Sequence, residues 1–112
     1  MNRRRFARVR VSLRFTFAWE EHFALFRTLD LGASGALVVR HDADSPLPEL
    51  GTVGQCAFNL DSVEVRTDAK VVRLVHDGFA VRFEGLPRSL EDRLVAWVFR
   101  MEAQALSRRM PA

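Results

Sequence analysis

The chain has 112 residues, of which 48% are hydrophobic and 28% charged, with a formal net charge of +3. That length suits one compact domain able to bury a core without metal or disulfide staples, and the apolar fraction is too high for a disordered chain. No apolar run approaches the ~20 residues of a membrane helix, and the start, Met1 to Phe6, lacks the hydrophobic segment of a signal peptide, so a cytoplasmic location and no membrane insertion are expected. The lone cysteine, Cys56, cannot form an internal disulfide and is expected to pack as a small buried group.

The charge is unevenly distributed. Residues 1–10 carry five arginines and no acid, a local +5. Residues 11–87 hold seven basic and eleven acidic groups, or −4, and residues 88–112 hold five and three, or +2. A mildly acidic body therefore carries a basic N-terminal arm, whose arginines repel one another unless solvated or met by an anion. A phosphate-bearing partner is one reading of this arm, and a solvated tail is the other.

From Arg8 to Glu20 the alternation is strict, with Val9, Val11, Leu13, Phe15, Phe17 and Trp19 on one parity. It predicts one long strand with a single buried face. Phe23 to Leu29 reads as a second strand in a hairpin with the first. Asp30-Leu31-Gly32-Ala33-Ser34-Gly35 reads as a turn, its two glycines implying a sharp bend or a close backbone approach, and Ala36 to Arg40 supplies a third strand. Residues 41–51, with two prolines and a glycine, form a surface loop. Strands resume at Thr52–Leu60 and Ser62–Val75, and His76-Asp77-Gly78 turns the chain into a last strand inward at Phe79, Val81 and Phe83.

Six short strands at regular intervals suggest an antiparallel β-barrel, which removes sheet edges by closing. The period then changes. Leu90, Leu94, Trp97, Val98, Met101 and Ala105 lie on one face of an amphipathic helix over residues 89–108, with Ser89 and Asp92 as a capping box and Arg108 and Arg109 at the far end. The apolar face needs cover, and packing on the barrel is favoured over a second subunit because a lone helix of this length is marginal in water.

Catalytic patterns are missing. His22, His41 and His76 have no second His or Cys at helical metal-site spacing, and no nucleophile elbow, Walker loop or strand-to-helix glycine fingerprint occurs. Ser34 and Cys56 have no identifiable base partner, so no catalytic residue, metal or cofactor is expected, and an enzyme is the least supported class. The two tryptophans and nine phenylalanines fall mostly on inward parities, as core rather than as a stacking platform.

Two segments combine. Arg4-Arg5-Phe6-Ala7-Arg8 precedes the first strand, and Asp30-Leu31-Gly32-Ala33-Ser34-Gly35 precedes the third. Together they resemble the PilZ domain family, whose members carry Arg-x-x-x-Arg ahead of the first strand and Asp/Asn-x-Ser-x-x-Gly one strand later. Arg4 and Arg8 match the first motif, flanked by Arg3 and Arg5; Asp30 and Gly35 match the second, but Gly32 stands where the family has serine. The similarity covers nearly the whole chain, as a barrel-plus-helix domain over residues 1–112 with an arm at 1–8, a barrel at 9–86 and a helix at 89–108.

The resemblance implies binding of the bacterial second messenger cyclic di-GMP. Arginine suits it, since a guanidinium can fork onto a phosphate or onto guanine O6 and N7, and can stack on the base. Arg3, Arg4, Arg5 and Arg8 would meet phosphates and bases, Asp30 would accept from a guanine Watson–Crick edge, Gly35 would keep the turn tight and free of a side chain where the base approaches, and Gly32 would occupy the serine position of the site. The missing serine hydroxyl would cost about 0.5–1.5 kcal/mol, roughly two- to tenfold in affinity.

Self-repelling arginines with few apolar anchors besides Phe6 predict an arm that is mobile without ligand, and binding would draw it across the barrel surface. The output would be regulation of a protein partner in trans, in motility, exopolysaccharide or biofilm control. Two other classes stay open: a PilZ-fold adaptor blind to the nucleotide, with a partner or a dimer on its helix, and a small barrel binding single-stranded nucleic acid through the arm. The acidic body and lack of exposed aromatics disfavour the last, so DNA or RNA is not the expected partner.

Overall fold

The computed structural model describes residues 7–109. In chain order the elements are β1 (Arg8–Val9), β2 (Arg14–Trp19), β3 (His22–Gly32), β4 (Gly35–Arg40), β5 (Val53–Leu60), β6 (Val63–Val75), β7 (Gly78–Glu84) and α1 (Arg88–Arg109). Every pairing is antiparallel, and β2, β3, β4, β7, β6 and β5 close on themselves as a six-stranded barrel. The barrel and terminal helix agree with the alternation of the sequence.

The expected single strand from Arg8 to Glu20 is instead two strands on the same flank of β3. β1 pairs with its far end, Arg8 opposite Gly32 and Val9 opposite Leu31, while β2 pairs from Arg14 opposite Arg27 to Trp19 opposite His22. Between them, residues 10–13 face residues 28–30, one residue too many for a continuous ladder. Thr28 absorbs the mismatch. Fully buried, it donates its hydroxyl proton to the Val11 carbonyl and accepts from the Leu13 N–H at 2.8 Å, while its own N–H reaches the Leu13 carbonyl at 2.9 Å.

The Asp30–Gly35 segment is also not the turn it resembles. Asp30, Leu31 and Gly32 belong to β3, because Leu31 is paired on both sides, with Val9 of β1 and Ala36 of β4. The turn itself is only Ala33-Ser34. The hairpin at His76-Asp77 forms as expected, with Asp77 at φ 58° and its carboxylate against the Arg40 guanidinium, which holds its pKa below the ordinary value.

The barrel is filled by aromatics. Phe58 stacks with both Phe15 and Phe83, while Phe79 packs against Phe17 and meets Phe26 edge-on. Phe23, on the outer parity of β3, is exposed. Cys56 is buried as expected, and desolvation pushes its thiol from 9.0 up to about 12.

The helix begins one residue before the expected start. The Pro87 carbonyl accepts from the Leu90 and Glu91 N–H groups at 3.0 and 2.9 Å, so Ser89 lies inside the first turn and is not the cap. Leu94, Trp97 and Val98 are buried, with Val95 and Met101 packed beside them, and the helix meets β1 and β3. At 22 residues it is about 33 Å long, and its last turns leave Leu106 exposed.

Replacing Thr28 with valine keeps the volume but strands a buried N–H and a buried carbonyl. Urea unfolding is expected to show a loss of about 1–3 kcal/mol. An unchanged midpoint would show that the hydroxyl does not hold the crossing. For Cys56, the unfolded thiol ionises above about pH 9 while the folded one keeps its proton, so stability contributed by this site falls as pH rises from about 9 to 12. A disulfide-exchange reagent at pH 8 should label native protein slowly and urea-unfolded protein completely.

Candidate functional site

The site is assembled where β1 runs along the end of β3. With Val9 turned into the core, Arg8 faces outward, and so does Asp30 on the neighbouring strand, with Leu31 buried beside it. Arg8 Nε donates to Asp30 Oδ1 at 3.1 Å, with the side chains 40% and 28% exposed. Such an exposed pair contributes about 0–1 kcal/mol, so both groups remain open to exchange for a ligand's anion or donors.

The two glycines have separate tasks. Gly32 lies directly opposite Arg8, and a Cβ there would sit 2.8 Å from the Ala7 carbonyl oxygen and 3.0 Å from Arg8 Cγ. Glycine at this position lets β1 lie close against β3. At Gly35 a Cβ would be 2.0 Å from the Val81 carbonyl oxygen, so the residue is bare because β7 is pressed against it. Both are constraints of close approach; neither glycine is at positive φ. Ser34 is exposed at the turn, and its carbonyl accepts from Phe83 N–H at 2.9 Å, fixing the turn to β7.

Of the expected site residues, Arg8, Asp30, Gly32 and Gly35 lie together on this part of the wall, while Arg3, Arg4 and Arg5 lie outside the described residues. The register adds two cations that motif reading missed. Arg82 sits opposite Gly35, held at 3.2 Å by Glu84, and Lys70 sits opposite Arg82 on the next strand. The alternation of Phe79, Val81 and Phe83 already turned Arg82 outward, but only the pairing of β4 with β7 brings it beside Gly35.

Two grooves border the site. One of about 390 Å³ runs from Ala33 and Ser34 past Arg82 to Leu86 and Glu91 at the start of the helix. The other, about 410 Å³, separates Arg8, Val9 and Arg10 from Glu102, Ala105 and Leu106 near the helix end. Among the described residues, no group of three or more His, Cys, Asp or Glu side chains is placed to hold a metal ion.

Solved structures with this architecture include the Bacillus subtilis inhibitor of motility MotI/DgrA, with a TM-score of 0.76 and 18% identity over 93% of this chain and 52% of that one. YcgR of Escherichia coli, solved in complex with c-di-GMP, gives 0.72 and 17% identity over 90% of this chain and 46% of that one. The PilZ domain of CeSA from a cellulose-synthesizing bacterium gives 0.66 and 18%, covering 85% of this chain and 97% of the domain. The chain thus spans about half the length of the MotI and YcgR chains. No curated protein sequence matches it. The PilZ domain model matches residues 2–100, which takes in the arginine-rich start, all seven strands and the first half of the helix, and the chain belongs to the PilZ domain family.

Proposed function

We propose that this PilZ domain is a receptor for cyclic di-GMP that regulates a protein partner in trans, with the whole chain, residues 1–112, working as one unit. PilZ domains are receptor and adaptor domains rather than catalysts. The observation that carries the reading is the meeting of Arg8 and Asp30 on the outer wall, joined only by an exposed ion pair.

In this reading a guanine edge exchanges for Arg8 at the Asp30 carboxylate, which accepts its N–H donors and so selects against adenine. The freed Arg8 guanidinium, with Arg4 and the flanking Arg3 and Arg5, then forks onto phosphate oxygens and guanine O6 and N7. Arg82, beyond bare Gly35, extends the cationic surface under the same ligand. Because Arg8 and Val9 border the groove on the helix end, moving β1 changes the surface made with Glu102, Ala105 and Leu106. That surface is the output. Support for a protein partner comes from the description of MotI as an inhibitor of motility, and for the ligand from the YcgR complex with c-di-GMP.

Gly32 favours a second reading, a PilZ adaptor blind to the nucleotide. It removes the family serine and lets β1 close on β3 with Arg8 already engaged.

Calorimetric titration of cyclic di-GMP separates the two. Saturable binding is expected, weakened about 10- to 150-fold by Asp30→Ala through loss of a charged acceptor, and lost in Arg4→Ala/Arg8→Ala. No heat and no thermal stabilisation by excess ligand would leave the adaptor reading. Gly32→Ser is expected to push β1 from β3, lowering the melting midpoint of the free protein while tightening binding roughly two- to tenfold through the added hydroxyl. A serine variant with no gain in affinity would show that the loss at this position is not what limits the site.

A further inference from the structure

Arg14 of β2 and Arg27 of β3 lie directly opposite each other on the outer wall, both exposed. Like charges across one register position repel, with their backbones about 5 Å apart. Of the other arginines on the strands, Arg8 is matched with Asp30, Arg40 with Asp77, Arg66 with Glu64 and Arg82 with Glu84, while Arg73 of β6 is unmatched among the described residues but has no arginine opposite it. Arg14 and Arg27 have no acidic partner among the described residues, although acids outnumber bases in the body of the chain. Water can solvate such an exposed pair, but an anion seated between the two guanidinium groups would relieve the repulsion between them.

The pair borders a groove of about 300 Å³, with Leu13, Leu25 and Phe26 as its apolar lining and Ser12 and His41 as further polar groups. Asp42 and Asp44 follow His41 in the chain but do not line it. Arg14 also borders a second groove, of about 170 Å³, among Thr16, Asn59, Glu64 and Arg66. The two share Arg14 as a lining residue, and taken together as one trough their linings draw on β3, β2, β5 and β6. Three strand spacings are roughly 14 Å, the span of about four extended residues. A single phosphate would occupy only its Arg14–Arg27 end. At the other end Glu64 is already neutralised by Arg66 at 2.9 Å, so the trough has a cationic and a neutral half.

We infer that this trough docks an extended acidic segment of a partner protein, a carboxylate seated between Arg14 and Arg27 and an apolar neighbour on Leu13 and Leu25. The inference rests on the adaptor half of the proposed function and uses neither Arg8 nor Asp30.

The probe is a fluorescein-labelled octapeptide of glutamate interspersed with leucine, read by anisotropy on the full chain. Saturable binding is expected, weakened about tenfold or more by Arg14→Glu/Arg27→Glu and less than about twofold by the charge-matched control Arg93→Glu/Arg108→Glu. Should charge reversal unfold the barrel, Arg14→Gln/Arg27→Gln serves instead; it is expected to melt above the parent because the repulsion is gone, and still to bind weakly. No saturable binding, or equal weakening by the control pair, overturns the inference. Displacement by inorganic pyrophosphate below the peptide's own Kd, or tighter binding of a single-stranded RNA oligonucleotide, also overturns it. Cyclic di-GMP titrated into the Arg14/Arg27 variant should bind as to the parent. A parent that binds peptide but not nucleotide ends the receptor reading and leaves the trough standing, whereas the reverse ends the trough alone.

Discussion

The structure turns on the crossing at Thr28. A barrel strand that simply continued from Trp19 back to Arg8 would keep one ladder with β3, and its N-terminal residues would follow the register set by Arg14 and Arg27. The extra residue in segment 10–13 breaks that register, and a buried threonine offers the one donor and one acceptor needed to satisfy the backbone left unpaired there. A purely apolar side chain would leave two polar groups without partners. The consequence is local but decisive, because β1 is set independently against the end of β3 and Arg8 arrives opposite Gly32 and beside Asp30.

The barrel was legible because its inward residues alternate almost without fault, and the helix because its period shifts from two to between three and four. The break between β1 and β2 was not. Val9, Val11, Leu13 and Phe15 keep the same parity straight through it, so the pattern of burial carries no trace of a change in pairing. Asp30-Leu31-Gly32 was misread for the opposite reason. Glycine and aspartate ordinarily mark turns, but here the glycine marks a place where another backbone comes close. Ser89 looked like a cap because its spacing to Asp92 is right, yet the Pro87 carbonyl had already started the helix.

The site was legible to a different degree. Arg8 and Asp30 are 22 positions apart, and no periodicity joins them; the family motif did. Gly35 matched that motif, although its surroundings give it a reason independent of any ligand, the Val81 carbonyl 2.0 Å from where a Cβ would stand. Residues such as Arg82, Arg14 and Arg27 gain meaning only from register, since an outward arginine on a strand is unremarkable until its cross-strand neighbour is known. Sequence patterns gave the faces of the strands, and only the fold gave the neighbours.

The wall's electrostatics divide by how each arginine is answered. Where an acid lies on the same or the adjoining strand, the guanidinium is held in an exposed pair of small energy, and a ligand can compete for it at little cost. Arg8 with Asp30 is of that kind, which makes it suitable as an exchangeable contact and unsuitable as a structural staple. Docking of β1 must then depend on Val9 in the core, on the ladder to Leu31 and Gly32, and on the Thr28 crossing behind it. Losing the Arg8 pair to a ligand therefore need not unfold the strand. Arg8 also borders the groove lined by Glu102 and Leu106, so the exchangeable pair and the helix end share one stretch of surface.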